Sequence, residues 1–332
     1  MHESMLENGL DFILNAANLL KKAEDASNAE EKEKALKYCM LHLSSGIELI
    51  MKFRLYIDNW TYIFADMNKA NRRDLDNGDL ITVDYERCIE RLNTLCDIEF
   101  SEENKKYLKS LRRNRNKVEH FITDATTEAL EVSINNALTA TLIFLQNNYE
   151  DMSFSIKDME TRKLTEKEKN LLSEIINVVS SLQEHHKEAL TLAVKQASMV
   201  SLESELVECP SCREKTMVIS DSNDKCHCYM CGYEAKGETA AREYLFNIEG
   251  VDEYSIVKDG GEYPLYICPE CGKESLIEKD NTYVCFSCRM IYPATEIQFC
   301  SECNNPYWVA KDEREDDIGL CSACLKYKIE KY

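Results

Sequence analysis

Between residues 209 and 324 the chain places six Cys-x-x-Cys pairs, and they fall into three sets. Cys209 and Cys212 precede Cys228 and Cys231 with fifteen residues between the pairs, Cys268 and Cys271 precede Cys285 and Cys288 with thirteen, and Cys300 and Cys303 precede Cys321 and Cys324 with seventeen. Two residues between thiolates let one tight turn aim both sulfurs at one ion, and a short return segment brings the second pair round to complete a tetrahedron. The spacing therefore predicts three small modules, each holding one zinc ion. Four thiolates leave no open coordination position for a catalytic water, so the sites are expected to be structural. Redox cysteines or an iron–sulfur cluster explain the threefold repeat of complete four-cysteine sets less well.

The residues between the pairs fit short β-hairpins. Lys215–Ser220 and Glu274–Glu278 read as strands, Ser222-Asn223-Asp224 and Asp280-Asn281 as turns, and Thr282–Phe286 as a return strand. In this the modules resemble zinc ribbons. Cys226, beside His227, reads as an unused thiol, with an alternate ligand as the other reading. Residues 205–332 carry 14 basic and 25 acidic groups, and Asp312-Glu313-Arg314-Glu315-Asp316-Asp317 lies inside the third set. Such a charge repels phosphate, so a protein or peptide partner is expected here in preference to nucleic acid. Tyr292, Phe299, Tyr307 and Trp308 could stack bases, but in modules this small they are expected to build the miniature core.

The rest of the chain is built differently. All five prolines lie at or beyond residue 210, and only Gly9, Gly46 and Gly78 among ten glycines lie before residue 200. A stretch so poor in helix breakers predicts helices. Ser4-x-x-Glu7 and Ser27-x-x-Glu30 are capping-box patterns, and Leu36, Met40, Leu43, Ile47, Ile50 and Arg54 form one stripe at helical spacing. Asn71–Asp79 reads as a loop, and Thr82–Cys96, Ser101–His120 and Thr123–Tyr149 as further helices. Thr165-x-x-Glu168 opens another, to about Leu202, expected to serve as a rigid connector or dimerisation helix; on it His185 and His186 read as a solvated pair. Cys39, Cys88 and Cys96 are expected to be buried small hydrophobes.

The formal charge of −20 excludes a protein that coats nucleic acid with its whole surface, yet residues 104–118 hold Lys105, Lys106, Lys109, Arg112, Arg113, Arg115 and Lys117 with no acid. This stretch runs into Arg115-Asn116-Lys117-Val118-Glu119-His120. An Arg followed by Asn, with His five residues after the Arg, near the end of the penultimate long helix of an all-helical domain, resembles the HEPN family (higher eukaryotes and prokaryotes nucleotide-binding), over residues 1 to about 155. Arg115 continues the apolar stripe of Leu108, Leu111 and Val118 and is taken as the motif arginine. Arg113, seven residues before His120, is auxiliary.

The resemblance implies a metal-independent endoribonuclease. His120 would move protons as the RNA 2′-OH attacks the adjacent phosphate, Arg115 would stabilise the charge on phosphate oxygens, and Asn116 would position a side chain or the phosphate. Lys105, Lys109, Arg112, Arg113 and Lys117 would bind RNA. The family's composite sites imply a homodimer, and its members imply a bacterial defence or toxin role. Ile122 stands where members controlled by nucleotidyltransferase antitoxins carry Tyr, which puts that control in doubt. The competing reading is a non-catalytic dimeric adaptor that binds protein through its ribbons.

The expected fold class is thus multidomain: an all-α HEPN-like bundle (1–158), a helical connector (159–206), and four-cysteine zinc-ribbon modules at 207–248, 249–293 and 294–332. With no apolar run of membrane-spanning length and no leader-like start, a cytoplasmic protein without a membrane partner is expected.

Overall fold

The computed structural model describes residues 2–119, 126–149, 153–154, 162–202, 205–220, 223–258, 260–309 and 318–331. The chain forms two compact units, residues 1–188 and 189–332.

The first unit is the expected helical bundle. Its helices are α1 (His2–Glu24), α2 (Ala29–Asp58), α3 (Arg72–Asn77), α4 (Tyr85–Cys96), α5 (Glu102–Glu119), α6 (Thr127–Tyr149) and the first part of α7 (Glu166–Ala197). The stripe on α2 is buried as its spacing requires, from Leu36 to Ile50, and Arg54 closes it with an ion pair to Asp58 at 2.9 Å. α6 runs through the middle, and Tyr149 at its end donates its hydroxyl proton to the carbonyl of Ile50 at 2.8 Å. A two-strand ladder, β1 (Ser153–Phe154) with β2 (Arg162–Lys163), precedes α7.

Several local readings are refined. The cap of α2 is Asn28, whose Oδ1 accepts the Glu31 amide at 2.9 Å, while the Ser27 hydroxyl donates to the Glu31 side chain and accepts from the Asn28 side-chain amide, and caps no backbone amide of α2. The segment 71–79, expected as a loop, contains α3, capped by Asn71 and ended by Gly78 at φ 77°. The box on α7 forms reciprocally: Thr165 donates its amide to Glu168 Oε2 at 2.8 Å, and the Glu168 amide donates to Thr165 Oγ1 at 3.2 Å. The first half of α7 is more than a connector, because Leu172, Ile175, Val179 and Leu182 belong to the bundle core.

The second unit contains three small sheets. The first joins β3 (Met217–Ile219), β4 (Lys225–Cys228) and β5 (Glu234–Lys236), and is followed by α8 (Gly237–Tyr244) and α9 (Glu253–Lys258). The second orders β6 (Tyr266–Ile267), β7 (Glu274–Lys279), β8 (Thr282–Cys285) and β9 (Ile291–Pro293) as four antiparallel neighbours. The third pairs β10 (Ile297–Phe299) with β11 (Pro306–Trp308), and α10 (Ser322–Lys331) follows. The turn between β7 and β8 places Asp280 and Asn281 at φ 49° and 59°, the left-handed pair that a two-residue hairpin requires. Of the turn expected at 222–224, Ser222 lies outside the described residues.

Candidate functional site

The cysteines come together in the three sets that their spacing indicated, with all sulfurs of a set within 4.8 Å of one another. Cys209–Cys231, Cys212–Cys228, Cys268–Cys288, Cys271–Cys285 and Cys303–Cys321 are each 3.7 Å apart, sulfur to sulfur. The edge of a tetrahedron with metal–sulfur bonds of about 2.3 Å is about 3.8 Å, so donor type and geometry both fit zinc. Each set is positioned to coordinate one ion, consistent with three structural zinc sites.

The turns explain how the sulfurs converge. In five of the six pairs the residue after the second cysteine (Arg213, Gly232, Gly272, Arg289, Asn304) has φ between 56° and 72° and donates its amide to the carbonyl of the first cysteine at 2.8–2.9 Å. That left-handed residue folds the chain back so that both sulfurs face one point. The sixth pair differs from the expected hairpin: the bond from Leu325 to Cys321 opens α10, so the third site takes two ligands from a helix start. Two hydroxyls also serve as thiolate partners, Thr216 to Cys228 at 3.2 Å and Ser275 to Cys285 at 3.3 Å. Each stands seven residues after the first cysteine of its set, a repeat legible in the sequence once the sets are aligned.

Cys226 is outside the four-sulfur sets. Its buried thiol donates to the carbonyl of Phe286 at 3.3 Å, and Phe286 lies between the second-site ligands Cys285 and Cys288. The Phe286 ring packs on Tyr244 of α8 at 5.3 Å, and Lys273 pairs with Asp224 at 2.7 Å. The first two modules are therefore one packed body, which module-by-module reading of the sequence missed. Cys39 and Cys88 are fully buried and Cys96 half-buried. Burial, with a neighbouring Asp58 at Cys96, pushes the thiols of Cys88 and Cys96 up to about 12. His185 is exposed, its Nδ1 3.5 Å from Glu24.

On α5, Leu108, Leu111 and Val118 are buried. The residue that completes this stripe is Asn114, not Arg115: Asn114 is 9% exposed and donates to Ser133 Oγ of α6 at 3.1 Å. Arg115 lies half-buried beside the stripe, its Nη1 donating to Asn116 Oδ1 at 3.2 Å. Arg113 is also half-buried, and burial holds its guanidinium below the usual arginine range. Arg112 pairs with Glu86 of α4 and stands 5.3 Å over the Tyr85 ring, and Lys105 pairs with Glu102 at 2.7 Å. Lys109 is exposed and Lys117 half-buried. His120 and Ile122 lie outside the described residues, as does the acidic run Asp312–Asp317. At the N-terminal end of α5 a cleft of about 240 Å³ is lined by Asp97, Glu99, Asn104, Ile143 and Asn147 among others, and its carboxylates disfavour phosphate.

Among the described residues no helix is long and apolar enough to cross a membrane. Compared with known proteins, the chain matches no family model, no curated protein and no solved structure. A helical bundle joined to three four-cysteine modules is an architecture consistent with a nucleic-acid-binding or regulatory protein.

Proposed function

We propose that the chain is a metal-independent endoribonuclease of the HEPN type, with four-cysteine modules that recognise a partner or trigger. The observation that carries this reading is the concentration of seven cationic residues, Arg115 among them, on α5 of a chain with net charge −20, with Asn116 beside Arg115 and His120 following directly in the sequence. RNA is held along the exposed side of α5, with Lys109 and Lys117 contributing charge. The contact from Arg115 to Asn116 supports a role for Asn116 in orienting the guanidinium toward a phosphate oxygen. His120 takes the 2′-OH proton as the oxygen attacks the adjacent phosphorus, and a protonated histidine returns a proton to the leaving 5′-oxygen. DNA, lacking the 2′-OH, does not react by this route. A two-fold dimer brings two such motifs together.

The test is incubation of the purified chain with total RNA in a chelator that removes free divalent ions. Discrete fragments are expected, and His120→Ala and Arg115→Ala are each expected to lose about 10²–10⁴-fold in rate with zinc content unchanged. A parent that never cuts RNA, or a His120 variant that cuts equally well, hands the case to the second reading, a non-catalytic dimeric adaptor. The closed, structural character of all three four-cysteine sites favours that alternative if cleavage fails.

A further inference from the structure

The third sheet presents an aromatic face that is half exposed among the described residues. Register pairs Ile297 with Trp308 and Phe299 with Pro306, so these four side chains share one face of the β10–β11 hairpin. Ile297 is buried, but Phe299 remains 39% exposed and Trp308 49%. Two tyrosines of the second sheet pack against Phe299, which is 5.2 Å from the Tyr266 ring and 6.3 Å from Tyr283, edge to face. Of the four aromatic residues that the sequence offered as core or base-stacking groups, Tyr292 is indeed core, whereas Phe299 and Trp308 are half open to solvent.

Carboxylates border these rings. Glu296 accepts the Trp308 indole proton at 3.0 Å, and Glu278 accepts the Tyr283 hydroxyl at 3.3 Å. Ring faces flanked by carboxylates attract a cation that brings an apolar stem with it, which describes lysine and arginine side chains. Among the described residues of this unit, the lysines that stand over rings do so at Tyr244 and Tyr254, not here. The surrounding half of the chain has 14 basic against 25 acidic groups, so the same face repels a nucleic acid backbone.

We infer that the aromatic face built by Tyr266, Phe299 and Trp308 docks an extended peptide segment that carries arginine or lysine. The peptide's cation lies over the Trp308 and Phe299 rings with Glu296 and Glu278 alongside, and its methylene stem covers their exposed edges. This rests on the reading of the four-cysteine modules as the partner-binding half, and it does not require that the bundle cleave RNA.

The experiment uses the full zinc-loaded chain and a fluorescein-labelled decapeptide with three arginines, compared with its citrulline counterpart, by fluorescence anisotropy. The arginine peptide should bind at least tenfold more tightly than the neutral one. Trp308→Ala should weaken binding at least tenfold and Glu296→Gln severalfold, while Trp308→Phe retains most of it. Three zinc ions per chain in each variant establish that the fold is kept. Trp308→Ala leaves every charge in place, so equal binding by that variant would mean mere attraction to an acidic protein and would overturn the proposal. Equal affinity for the citrulline peptide, or displacement of the peptide by a short RNA with the same loss on Trp308→Ala, would overturn it as well. Because binding is read without RNA cleavage, its failure leaves the ribonuclease reading standing, and a failed cleavage assay leaves this one standing.

Discussion

Gly237→Ala should pry apart the first two four-cysteine modules. A Cβ at this position would lie 2.5 Å from the carbonyl oxygen of Phe286 and 2.5 Å from the Cα of Ser287, and both are backbone atoms that no rotamer change can remove. Gly237 is not among the glycines with positive φ, so the effect is steric contact alone and owes nothing to a forbidden backbone conformation. Overpacking typically costs about 1–3 kcal/mol, and the rigid neighbours place this case near about 3. Alanine in the first turn of α8 returns at most about 1 kcal/mol of helix propensity. The net is about 2 kcal/mol, an opening of the seam favoured about thirtyfold. The reporter is Cys226, fully buried with its thiol on the Phe286 carbonyl and outside the zinc sets. Alkylation of the zinc-loaded chain, mapped by mass spectrometry, should label Cys226 about thirtyfold faster in the variant, while Cys39 in the bundle core labels at the parental rate. Unchanged labelling of Cys226 in a folded variant would refute the argument that this seam holds the two modules as one body.

Zinc should leave the three sites in the order third, second, first under a competing chelator, because the first set is wholly buried, the second half so, and the third includes the exposed Cys303; a colorimetric chelation time course with three one-ion phases, assigned by single-site cysteine variants, checks this. Asn28→Ala should cost the bundle about 1 kcal/mol in urea unfolding, whereas Ser27→Ala should cost a few tenths, since only Asn28 caps a backbone amide of α2. Lys109→Ala should lower the salt dependence of RNA binding by about one counterion, and Arg112→Ala by less, because Glu86 already neutralises Arg112; equal slopes in filter-binding titrations would count against the assignment of α5 charges.

Features that depend on near neighbours in the chain were determined by the sequence alone. A Cys-x-x-Cys turn closes within five residues, so the three sulfur sets could be read directly, and the Thr165–Glu168 box forms within one helical turn. Choices between adjacent residues were not legible in this way. At α5 the spacings Leu108, Leu111, Asn114, Val118 and Leu108, Leu111, Arg115, Val118 are equally helical, and what selects Asn114 is the hydroxyl of Ser133 on α6, nineteen residues away, which satisfies its amide where a guanidinium would be left poorly partnered. Ser27 and Asn28 are equally good capping types, and the backbone angle at which the chain enters α2 chooses Asn28. The place of Cys226, the role of Gly237 and the half-open aromatic face at Phe299 and Trp308 all arise where one module meets another. Contacts of that kind join residues far apart in the chain, and no local pattern of residue types encodes which surfaces will meet.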